Sequence, residues 1–163
     1  MKIISSMIEK MIHFYDGSTH DINHFLKVHS YAKTIGGTEG LDKNTQFILE
    51  ASAVVHDIAC PLCREKYGNT NGKYQEMEGV ALTEDFLKEF DIEKNVKERI
   101  VYLVSHHHTL DEINGMDYQI LIEADYLVNV DESGYSKENI KNMMESIFKT
   151  KTGIRLLKSI YKI

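Results

Sequence analysis

Phe47-Ile48-Leu49-Glu50-Ala51-Ser52-Ala53-Val54-Val55-His56-Asp57-Ile58 is apolar almost throughout, yet it carries an adjacent imidazole and carboxylate near its end. A helix built from this stretch has apolar side chains on nearly every side, as expected of the central helix of a bundle. His56 and Asp57 must find partners in such a setting, because an unpaired buried charge is costly. A shared divalent ion would satisfy both at once. The dipeptide is a candidate metal site.

The chain holds a second His-Asp dipeptide in a different context, within Gly17-Ser18-Thr19-His20-Asp21. That setting is polar and turn-like, so Asp21 or Thr19 can cap the helix that follows and no metal is needed.

Outside these two places the apolar residues recur at three- and four-residue spacing, with one proline and no sustained period-two alternation. The pattern predicts an all-α chain. Helices are expected at about 2–15, 21–36, 43–58, 73–90, 94–107, 116–130, 136–149 and 152–162. Gly36-Gly37 and Gly40 are expected to end the second helix, and Asp42 to begin the third. Residues 60–72 read as the longest irregular connection, rich in Gly and Asn, of a length that is often functional. With no repeat, low-complexity tract or linker, residues 1–163 read as one compact multi-helix domain.

The formal charge of −6 argues against a nucleic acid polymer as partner. Residues 1–7 lack the apolar core of a signal peptide. No stretch is expected to reach the roughly 18 apolar residues of a membrane span, so no membrane partner and a cytoplasmic location are expected. Cys60-Pro61-Leu62-Cys63 has the spacing of thioredoxin-type redox motifs without the βαβ context, and two cysteines close neither a disulfide framework nor a structural zinc site. Packing of small residues near a pocket mouth is the expected role.

In the second helix His24 shares a face with Val28, Tyr31, Ala32 and Ile35, so it points inward. In the sixth expected helix the same test sets Asp125 beside Leu121, Ile122 and Val128. Three largely apolar helices thus each deliver an inward ligand type: His24, then His56-Asp57, then Asp125. Helix bundles build metal sites in this way. Leu121, Leu127, Met143, Met144, Ile147 and Phe148 are the expected core of the C-terminal part.

The ordered set His24…His56-Asp57…Asp125 resembles the HD superfamily of metal-dependent phosphohydrolases. The resemblance extends to His24-Phe-Leu-Lys27-Val28 with Ala32, to residues 51–59 (ASAVVHDIA), and to Glu123-Ala124-Asp125 with Leu127, and covers about residues 20–130. It implies an all-α HD-type domain, with His24, His56, Asp57 and Asp125 as ligands of one divalent ion and phosphate-ester hydrolysis as the reaction. Two imidazoles and two carboxylates suit Mn²⁺, Fe²⁺, Co²⁺ or Ni²⁺, and less distinctively Mg²⁺ or Zn²⁺. The ion would polarise a phosphoryl oxygen and lower the pKa of a water, which Asp57 could steer.

Relatives with two metals often place a ligand at the position resembling His106, the expected member of His106-His107-His108 to face the pocket, as ligand or as donor to phosphate. Gln75 stands where such relatives commonly carry a second histidine, which argues against a second tightly held ion. Glu76 and Glu78 are either an acid or base near the water or solvated carboxylates of a helix surface. Lys27, Arg64 and Lys66 are the candidate phosphate-binding cations.

The expected partner is a small phosphomonoester, with a nucleotide as the foremost class. The Gly-Tyr-Pro motif of cyclic-dinucleotide phosphodiesterases and the Glu-Asp pair of alarmone hydrolases are both missing. The competing reading is a metal-containing binding or sensor domain that holds a phosphorylated ligand without turnover.

Overall fold

The structure is a computed structural model and describes residues 2–163; Met1, the first residue of the 1–7 stretch, lies outside the described residues. Among the described residues there are nine helices and no strand: α1 (Lys2–Phe14), α2 (Thr19–Glu39), α3 (Lys43–Val55), α4 (Cys60–Tyr67), α5 (Gly72–Leu87), α6 (Lys94–Val104), α7 (Met116–Ser133), α8 (Lys137–Ser146) and α9 (Lys151–Tyr161).

Asp42 starts α3 as its sequence context predicts, its side chain accepting the backbone N–H groups of Asn44 and Thr45. Every residue of α3 from Ile48 to Val55 is buried, and α1, α2, α6 and α7 cover it on all sides. Each fully buried Leu, Ile or Val there contributes roughly 1.5–3 kcal/mol of transfer free energy. Leu121, Leu127 and Phe148 join the core, whereas Met143, Met144 and Ile147 pack against its edge partly exposed.

Residues 60–72 are not an irregular connection. The backbone leaves α3 through a turn at 56–59 and re-enters a helix, α4, with Pro61 in its first turn, where a missing N–H costs nothing. Gly68, at a φ of 71°, closes that helix.

The Gly36-Gly37 pair does not end α2 either. Gly36 lies inside the helix, where a Cβ would overlap the Gln46 side chain of α3, so it serves close helix packing. Gly40, in the left-handed conformation, is the terminator.

Contrary to the expectation from composition, Lys43–Tyr67 is long and apolar enough to cross a membrane. In the fold, however, 67% of its most apolar window is buried inside the protein.

Candidate metal centre

Two of the helices that cover α3, namely α2 and α7, bring their inward polar residues onto the turn at its end. His24 Nε2 lies 3.2 Å from His56 Nε2, 3.1 Å from Asp125 Oδ1 and 3.3 Å from Asp57 Oδ2. His56 Nε2 lies 3.5 Å from Asp57 Oδ2 and 3.5 Å from Asp125 Oδ1. Donor atoms held about 2.1 Å from one ion stand about 3.0 Å apart at octahedral angles and about 3.4 Å at tetrahedral ones. His24, His56 and Asp57 are therefore spaced as members of one coordination shell, with Asp125 Oδ1 set against both imidazoles.

The tautomers fit the same purpose. His24 Nδ1 donates to Glu132 Oε2 at 2.7 Å and His56 Nδ1 donates to the Ala53 carbonyl at 2.9 Å. Those acceptors fix the proton on Nδ1, leaving two Nε2 lone pairs facing each other beside two carboxylates. Only a positive charge between them relieves the repulsion. Burial works against charge on His24, but its hydrogen bond to Asp125 and the charges of Asp57 and Asp125 outweigh that and raise its pKa to about 10. A proton, or in its place a divalent ion, is what this geometry demands. Asp57 and Asp125 are held below the usual carboxylate range, burial being outweighed by their histidine neighbours.

His106 is not the histidine that faces this cluster. Its ring stacks on Tyr102 at 4.0 Å between centroids, and its Nδ1 donates to the Tyr102 carbonyl at 2.8 Å. His107 takes the place instead: it is buried, its Nδ1 donates to the Val104 carbonyl at 2.7 Å, and its Nε2 lies 3.4 Å from Asp57 Oδ1 with no hydrogen-bond partner. The physical reason is that α6 ends at Val104 and residues 105–108 form a turn. Helical spacing therefore no longer dictates which of the three histidines points inward.

Asp57, His107 and the exposed His108 form a second group close enough to hold an ion. Gln75 is beside it in the same cavity. Its Nε2 donates to the Thr70 carbonyl at 2.8 Å, and its buried Oε1 has no partner.

Of the candidate cations, only Arg64 lines the cavity of about 250 Å³ that opens onto His24, Asp57 and Asp125. Its guanidinium is paired with Asp21, which Ser18 Oγ also contacts at 2.6 Å. Asp21 is thus a partner of Arg64 rather than a helix cap, and His20 stands exposed beside the same cavity. Lys27 is paired with Glu132 at 3.2 Å and Lys66 with Glu78 at 2.6 Å, and neither lysine lines this cavity. Glu78 is thereby a surface ion-pair partner. Glu76 receives the His108 backbone N–H and the Thr109 hydroxyl, pinning the turn that carries the histidines.

Cys60 and Cys63 are buried free thiols, and burial pushes both pKa values up, so neither is poised as a thiolate.

The geometry also shows a residue that helix periodicity in the ligand set did not single out. Glu132 lies seven positions after Asp125 on the same face of α7 and completes a carboxylate–histidine pair behind His24. That spacing was the available signal.

Residues 21–142 match the family model for the HD domain. The chain belongs to the HD domain family. Among solved structures this HD domain is similar to one from an uncultured Thermotogales bacterium described as a predicted HD superfamily hydrolase. The TM-score is 0.67 at 20% identity, over 99% of this chain and 85% of that one, a likeness that shows the fold. No curated protein matches the chain. HD domains bind divalent metal ions, and His24, His56 and Asp57 of this HD domain lie close enough together to hold one.

Proposed function

We propose that the protein is a metal-dependent phosphohydrolase that cleaves a small phosphomonoester, a nucleotide being the foremost class. The observation that carries this reading is the convergence of His24 Nε2, Asp57 Oδ2 and Asp125 Oδ1, with His56 Nε2 buried behind them, at a cavity that Arg64 also lines. The hydrolase description of the similar Thermotogales structure supports the same class. Free, buried cysteines are in keeping with a reducing, cytoplasmic setting.

His24, His56, Asp57 and Asp125 would hold a divalent ion, and its positive charge would polarise a phosphoryl oxygen and make a nearby water more acidic. Asp57 Oδ1, turned away from His24 and His56 toward His107, accepts a hydrogen of the attacking water and orients it. His107 donates from Nε2 to a phosphoryl oxygen when protonated. Burial opposes that charge, and the neighbouring Asp57 more than restores it, so the pKa is raised. Arg64 offsets the charge of the phosphate as it approaches. The bond from phosphorus to the water oxygen forms as the bond to the ester oxygen breaks, the leaving oxygen takes up the proton that the water gives up and departs as the alcohol, and inorganic phosphate is released.

The test is phosphate release from a panel of phosphomonoesters with added Mn²⁺, Co²⁺, Ni²⁺ or Mg²⁺, with Asp57→Asn as the folded, inactive control. Tight binding of these esters with no release under any metal would replace this reading by a sensor domain.

A further inference from the structure

The cavity over the four-donor cluster continues into a second one of about 490 Å³, within the roughly 300–1,000 Å³ of small-molecule sites. Thr70, Gln75, His108, Asp125 and Asn129 line both. Asn129 follows Asp125 by four residues on α7, so it stands one helical turn from the cluster, at the junction.

The far wall of the second cavity is built by Tyr126, Tyr135, Asn139 and Met143. Tyr135 is 41% exposed, and its ring lies 5.7 Å from that of the buried Tyr126. The Tyr126 hydroxyl donates to Asn139 Oδ1 at 2.6 Å, which assigns the amide oxygen as acceptor and leaves Nδ2 as the donor of a side chain that lines the cleft. No lysine or arginine lines this second cavity.

We infer that this cleft is the specificity pocket of the enzyme and takes the nucleoside of a nucleoside monophosphate. The phosphate lies at the cluster, a sugar hydroxyl meets Asn129, and the base stacks on Tyr135 with its acceptor edge toward Asn139. The inference rests on the hydrolase reading for the placement of the phosphate. A flat aromatic face with one amide donor recognises a heterocycle. A wall without cations has nothing to neutralise further phosphates, which selects the monophosphate over the triphosphate.

The test is titration calorimetry of the whole protein in Mn²⁺ with adenosine 5′-monophosphate, adenosine 5′-triphosphate and glycerol 1-phosphate, followed by phosphate release from the same three. The monophosphate should bind at least about tenfold more tightly than glycerol phosphate. Tyr135→Ala should bring that ratio close to one. Asn139→Asp, which keeps the acceptor for Tyr126 and removes the donor, should lower the ratio severalfold.

Equal affinity for the nucleotide and glycerol phosphate overturns the pocket, as does a ratio that neither variant changes or a preference for the triphosphate. Hydrolysis of glycerol phosphate with no nucleotide preference overturns the pocket and keeps the hydrolase. Selective nucleotide binding with no release of phosphate keeps the pocket and overturns the hydrolase.

Discussion

His107 Nε2 lies 3.4 Å from Asp57 Oδ1, while Oδ2 of the same carboxylate lies 3.3 Å from His24 Nε2 and 3.5 Å from His56 Nε2. One aspartate thus joins the four-donor cluster to a third buried histidine. Its two oxygens serve different neighbours.

His107→Ala is therefore expected to lower kcat on the order of 10²–10⁴-fold while the ion at His24, His56, Asp57 and Asp125 is retained. His106→Ala should leave kcat within a few-fold and cost about 1 kcal/mol of stability through loss of its bond to the Tyr102 carbonyl. Steady-state kinetics and thermal melts of the two variants check this pair, and the opposite ranking of kcat would restore His106 as the pocket histidine.

The protein purified without chelator is expected to carry at least one divalent ion, and His24→Ala or Asp125→Ala to lose it. Glu132→Gln keeps all four donors but weakens the acceptor behind His24, so metal affinity should fall about 10–100-fold. Elemental analysis and competition with a chelating dye measure both effects. Unchanged affinity in Glu132→Gln would show that the Glu132–His24 contact does not tune the site.

Metal-stripped protein should lose stability as pH rises from about 6.5 toward about 10. His24 keeps its proton in the folded state up to a pKa raised to about 10, against an ordinary 6.5. Its contribution is fully present below the lower value and is lost as pH passes the upper one. Asp57 and Asp125, with depressed pKa values, add stability above the ordinary carboxylate range that is lost on acidification. With metal the alkaline trend should reverse, because the ion competes with protons for the same lone pairs. Denaturant titrations at several pH values, with and without Mn²⁺, read out the signs directly.

Glu123 is fully buried and accepts from the Gln119 amide, the backbone N–H groups of Lys149 and Thr150, and the Thr150 hydroxyl, tying α9 to α7 two residues from Asp125. Glu123→Ala would strand those donors and should cost roughly 3 kcal/mol or more. Gly153→Ala should be destabilising by about 1–3 kcal/mol even in a helix, because its Cβ would overlap Glu123 Oε2. A stabilised Gly153→Ala would show that this contact yields freely.

Gln75→His should strengthen binding of a second ion next to Asp57, His107 and His108, since imidazole holds transition metals better than an amide oxygen. The measurement is metal stoichiometry against free Mn²⁺ or Ni²⁺ for the variant and its parent. Identical second-site occupancy would show that Gln75 is not what limits it.

The all-α class, the central burial of residues 48–55 and the inward aim of His24, His56, Asp57 and Asp125 were legible in the amino-acid order alone. Each of these follows from a local rule: apolar residues all round one helix, or a polar group on the apolar face of another, makes burial legible without knowing the neighbours. What depends on how elements meet was decided only by the tertiary structure. His107 displaced His106 because α6 ends three residues earlier than its periodicity suggested. Lys27 and Lys66 pair with Glu132 and Glu78, whereas Arg64, on the short helix α4, lines the cavity beside Asp21. Helical spacing fixes directions only within a helix. The aim of a side chain in a turn, and the choice of partner for a long flexible cation, are set by contacts between residues far apart in the chain.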